Sequence, residues 1–167
     1  MAVLTLAELK RHLGSKASDD EADLTALIDA AQSAVAARCG PLEPISVTTR
    51  LAGRGATQIA LPRRPLISVA SVTGRAGVAM AAASYWVDYD MAVVYTSSEF
   101  SEDYYDVVYS VGRASCPAHL KEAVKEMARH MWVARRGPSS GVAGSESINA
   151  LRRAEDFMFG EELGAVG

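Results

Sequence analysis

The sequence predicts an α+β chain, mainly α, with a small antiparallel β region inserted between helices and a helical tail. Three observations predict it. Apolar residues recur at three- and four-residue spacing over residues 5–13, 18–38 and 117–135. Between about residues 45 and 112 the period changes to two, the spacing at which side chains share one face of a strand. After Gly137 a Gly- and Ser-rich run precedes one more weakly periodic segment. The expected division is therefore a domain over residues 1–136, then a linker and a C-terminal docking segment over 137–167.

Each element carries its own signals. Thr5 with Glu8 forms a capping box, Leu4 and Leu9 have staple spacing, and Leu6, Leu9 and Leu13 mark one face of a helix ending at Gly14. Ser18-Asp19-Asp20-Glu21 repeats the box, with acids suited to the positive end of a helix dipole. Leu24, Leu27, Ile28, Ala31 and Val35 continue that helix, and Gly40-Pro41 stops it. Ile45, Val47, Thr49 and Leu51 then alternate with polar neighbours, which predicts a half-buried strand. Further strands are predicted at 57–60, 66–72, 85–87, 92–96 and 104–111, the last with Tyr105, Val107, Tyr109 and Val111 on one face.

Pro117 opens the third long helix, where its missing N–H costs nothing. Leu120, Ala123, Val124, Met127, Met131 and Ala134 form its apolar stripe. Glu122 with Lys125, and Glu126 with Arg129, are expected i,i+3 pairs. The two clean stripes predict that helices 18–38 and 117–135 pack side by side.

Composition narrows the function. The chain has 167 residues, 17 basic and 20 acidic, for a net charge of −3. A protein that binds phosphate backbones tightly is usually basic. Two cysteines, Cys39 and Cys116, permit one disulfide at most and exclude a disulfide scaffold. Glu8, Lys10 and Arg11 fall where a signal peptide would be apolar, and the longest apolar run is far short of the ~18 residues of a membrane span. Neither secretion nor a membrane partner is expected.

Each constellation that could carry chemistry has a plainer explanation. His119 and His130 lie eleven residues apart, whereas zinc ligands favour one-turn or short Cys spacings, so no metal site is expected. Cys116 precedes His119 by three residues at a helix start, a place that can stabilise a thiolate, but no orienting third group accompanies them. Asp88 and Asp90 sit between apolar strands, where Asp is an ordinary turn residue. No phosphate-cradling or dinucleotide glycine motif occurs, so no cofactor and no catalytic residue is expected. The doublets Arg63-Arg64, Arg135-Arg136 and Arg152-Arg153 could touch nucleic acid or an acidic partner. The segment after the linker is the most informative. Ile148, Leu151, Ala154 and Met158, with Phe157 and Phe159 beside them, are weak anchors for an isolated helix. Ile148, Leu151, Arg152, Arg153, Phe157 and Met158 are therefore the expected partner-binding residues, the apolar ones docking and the arginines orienting.

The order of these pieces resembles the head-to-tail connector, or adaptor, proteins of long-tailed double-stranded DNA bacteriophages. The resemblance is carried by Leu4–Leu13, by Asp23-Leu24…Leu27-Ile28…Ala31 running to Cys39-Gly40, by Leu61-Pro62-Arg63-Arg64-Pro65-Leu66, by Tyr85-Trp86-Val87-Asp88 with Tyr105–Gly112, and by Cys116-Pro117-Ala118-His119-Leu120 continuing to Arg135. It covers about residues 4–136. It implies an antiparallel helical bundle with a small β insertion and no catalysis. It further implies a homo-oligomeric, dodecameric ring in the virion neck, joining the portal protein to a downstream stopper or tail protein. DNA would pass through the lumen without specific binding, and assembly would take place in the host cytoplasm. Within the neck, a stopper or tail-completion role is the nearest alternative. A nucleic-acid-binding accessory protein and a small enzyme built on Cys116 and His119 are rivals of other classes.

Overall fold

The structure, a computed structural model, describes residues 3–14, 21–136 and 142–159. The expected capping box at residues 18–21 begins outside the described residues, as does most of the linker. The chain is α+β. Its elements in order are α1 (Leu6–Leu13), α2 (Glu21–Cys39), β1 (Ile45–Ala52), β2 (Gln58–Ala60), β3 (Leu66–Gly74), β4 (Tyr85–Asp88), β5 (Val93–Thr96), β6 (Tyr104–Val111), α3 (Ala118–Arg136) and α4 (Val142–Met158).

The chain divides into two compact units, residues 1–42 with 115–167, and residues 43–114. The expected boundary after residue 136 is thus not where the chain parts, because α4 belongs with the other helices. Each unit has its own apolar core.

In the helical unit, the Thr5 side chain accepts from the Glu8 backbone N–H, and the Glu8 carboxylate accepts from Thr5 in return. Gly14 closes α1 at φ 62°, a left-handed conformation that glycine adopts without a Cβ penalty. Leu24, Leu27, Ile28, Ala31, Val35 and Cys39 of α2 are buried with Leu120, Ala123, Val124, Met127 and Ala128 of α3. The Pro117 carbonyl accepts from Lys121 N–H at 3.1 Å and so completes the first turn of α3. Glu122 pairs with Lys125 as expected, at 2.6 Å. Glu126 and Arg129 do not pair with each other; both turn to α4, where Glu126 meets Arg153 at 2.9 Å and Arg129 meets Glu146.

The β unit holds two three-stranded antiparallel sheets, ordered β1-β6-β3 and β2-β5-β4. In β6, burial alternates strictly, with Tyr105, Val107, Tyr109 and Val111 inside. Its register with β1 runs from Ile45 opposite Val111 to Ala52 opposite Tyr104. Gly53, just after β1, has the Tyr105 ring only 2.6 Å from where a Cβ would stand, so any side chain there would displace a core aromatic. Phe100 packs edge-on to the same ring, with centroids 4.8 Å apart.

Candidate interaction surfaces

The six expected partner-binding residues do not form one surface. Ala150, Ala154 and Met158 recur every fourth residue along α4 and are fully buried, with Leu151 half-buried beside them. Alanines at two of these positions let α4 lie close against α3. Met158, expected to reach a partner, instead fills the subunit's own core. Arg153 is tied to Glu126, and Arg38 of α2 reaches Glu155 at 3.2 Å. The expectation that α4 lacks a reason to pack on its own domain is corrected accordingly. Its inward stripe was misread at the start, with Ile148 chosen where Ala150, two residues later, does the packing. Ile148, Arg152 and Phe157 remain on the surface, Ile148 at 63% exposure and Phe157 at 37%. Phe159, just past the helix, is 87% exposed.

Polar side chains of three helices meet at Glu126. His12 of α1 places Nε2 3.5 Å from a Glu126 carboxylate oxygen, and that nitrogen is buried with no hydrogen-bond partner among the described residues. The other Glu126 oxygen holds Arg153 of α4. Burial pushes the His12 pKa below its ordinary value; Glu126 and Glu122 oppose the shift, while Arg129 and Lys125 add to it. His12 is therefore neutral near pH 7. The unfolded imidazole takes its proton at about pH 6.5, whereas the folded one resists it. Stability is complete above that value and falls as the pH drops below it towards the depressed folded pKa. Melting temperatures from pH 7.5 to 5 should decline, and His12→Gln should flatten the decline. An unchanged slope in that variant would remove His12 as its source. A second window lies lower. Lys121 at 2.7 Å, with Thr5, holds the Glu8 carboxyl at about 2, so its contribution is present above about 4.5 and is lost as the pH falls from there towards 2.

The residues weighed for chemistry are placed as follows. Cys116 packs against the helical core and directs its thiol at the Pro117 carbonyl, 3.6 Å away. His130 Nδ1 lies 3.0 Å from the Ser147 carbonyl and 2.9 Å from its hydroxyl, joining α3 to α4. Asp88 accepts from Met91 N–H at 2.8 Å, the turn role expected of it. Among the described residues, no group of three His, Cys, Asp or Glu side chains could hold a metal ion. No described helix is long and apolar enough to cross a membrane.

Two further surfaces lie outside the six expected partner-binding residues. In the β unit, Trp86 stands 55% exposed with its ring stacked on Tyr95, centroids 5.7 Å apart. Tyr89 and Met91 lie exposed in the turn that follows β4. The alternation of β4 and β5 could have signalled this pair, because Val87 and Val94 turn inward and their neighbours must turn out. In the helical unit an open groove of about 500 Å³ runs between α2 and α3, lined by Ala26, Ala30, His130, Met131, Ala134 and Arg135. No motif announces it; it arises where small residues face one another on adjacent helices.

Both units leave large apolar side chains exposed, Ile148 and Phe159 in the helical one and Trp86 and Met91 in the β one. The family model described as head completion protein matches residues 2–157, and the chain belongs to that family. Among solved structures, it is similar to a chain in the neck of an empty GTA particle computed with C6 symmetry, at 25% identity and a TM-score of 0.59, covering 78% of each chain. Among curated proteins none matches the chain.

Proposed function

We propose that the protein is a structural adaptor of a virion neck, an antiparallel helical bundle carrying an inserted β unit. Twelve copies form a ring between the portal and the next neck or tail protein, DNA passes through the lumen, and no reaction is catalysed. The observation that carries this reading is the family match over nearly the whole chain. The likeness to a neck chain in a particle of cyclic symmetry supports it, since a ring of twelve contains six-fold symmetry. A net charge of −3 suits a channel along which DNA slides rather than binds. The test is native mass of the purified chain, alone and mixed with portal. A ring-sized species that includes portal is expected. A chain that stays monomeric and ignores portal would overturn the reading. Binding only to a downstream neck protein would point to a stopper, and steeply salt-dependent DNA affinity to a nucleic-acid-binding accessory.

A further inference from the structure

We propose that the α2–α3 groove of one subunit receives Phe159 from a second copy of the chain. The inference rests on the ring reading and names the contact that would build it. Ile148, Arg152 and Phe159 fall within about 40° of one another around α4, because each residue advances about 100°. They form an outer stripe, apolar at both ends and cationic between. Phe159 is 87% exposed, so a partner can reach its ring. The groove offers a cover: three alanines and Met131 around about 500 Å³, enough for an aromatic ring.

Phe159 does not reach the groove of its own subunit along α4. The groove is marked by His130, which holds Ser147. Phe159 follows Ser147 by twelve residues, about 18 Å along the helix axis. Moreover, α4 runs away from the groove, since Arg129 meets Glu146 whereas Glu126, earlier in α3, meets Arg153, later in α4. A knob at one end of a subunit and a hole at the other make a head-to-tail contact. Repeated, such a contact closes into a ring when the rotation permits.

Charge favours the same partner. Between residues 21 and 37, α2 carries Glu21, Asp23 and Asp29 and no base. Glu21 already pairs with Lys10 at 2.6 Å and Asp23 with the groove residue Arg135 at 3.5 Å, while Asp29 is exposed and has no ion-pair partner among the described residues. Arg152 lies about 10 Å before Phe159 on the stripe and has no ion-pair partner among the described residues. With Phe159 seated, Arg152 would meet Asp29, the acid of α2 left without a partner.

The test uses the full chain in a Cys116→Ser background, with Cys39 left buried. Single variants Phe159→Cys and Ala30→Cys are mixed one to one and oxidised, with portal present if the wild type needs it to assemble. A heterodimer is expected from the mixture, and a ladder of multimers from the double variant. Phe159→Ala should lower the assembled fraction at least ten-fold while leaving the monomer's melting temperature in place. Arg152→Glu should weaken assembly, and Asp29→Arg should restore it. If wild-type rings form but the cysteines do not link, the proposal fails and the ring reading stands. A link closed within one chain would show that the subunit fills its own groove, which also overturns it. A wild type that never assembles removes both.

Discussion

Replacing Tyr109 with alanine is expected to destabilise the β unit by about 3–5 kcal/mol, the range for deleting a fully buried aromatic ring. Tyr109 lies in β6, the central strand of its sheet, with Val47 opposite on one side and Val69 on the other. It is fully buried, and its hydroxyl lies 3.1 Å from Thr49 Oγ1. Truncation leaves a cavity in the core against the sheet face, beneath a strand held in register on both edges. Tyr109→Phe separates the two contributions, since it removes only the hydrogen bond, worth about 1 kcal/mol. Denaturant unfolding can follow each unit by its own tryptophan, Trp86 in the β unit and Trp132 in the helical one. A loss below about 1 kcal/mol for Tyr109→Ala would mean that the ring is not held as described.

The strands were legible because each has one dry face. Tyr105, Val107, Tyr109 and Val111 alternate without exception, so both the strand and its inward side follow from period two. Capping was equally legible at Thr5 and Glu8, where the signal is local and needs no tertiary partner. What escaped the sequence were choices made across helices. Glu126 has Arg129 at pairing distance along its own helix, yet it turns to Arg153, because α4 brings that guanidinium to a carboxylate already being buried beside His12. The docking segment was misjudged for a related reason. Alanine contributes little to an amphipathic pattern, so Ala150 was outweighed by Ile148, although small residues are what permit close helix contact. The groove is the same effect in reverse, since alanines on α2 and α3 leave space that no periodicity reveals. The family resemblance rested on residues 4–136, while the family match extends to 157 and takes in α4.

Met158→Ala should cost the helical unit about 2–5 kcal/mol, as other deletions of a buried Met side chain do. Met158 is fully buried in the core that also holds Leu24, Val35 and Leu120. It sits in the last turn of α4. Its neighbour supplies the control. Phe159, one residue later, points away and is 87% exposed, so Phe159→Ala in dilute, unassembled chain should change stability by no more than about 0.5 kcal/mol. Two adjacent apolar residues would then differ several-fold in effect, and in the direction opposite to their size. That contrast separates a tail helix built into the domain from one held in reserve for a partner. A reserve helix would show small losses at both positions, whereas an integral helix shows a large loss at Met158 alone. Urea unfolding of both variants, read by Trp132 fluorescence at micromolar concentration, distinguishes them. Equal and small effects would return α4 to the role of a free docking segment.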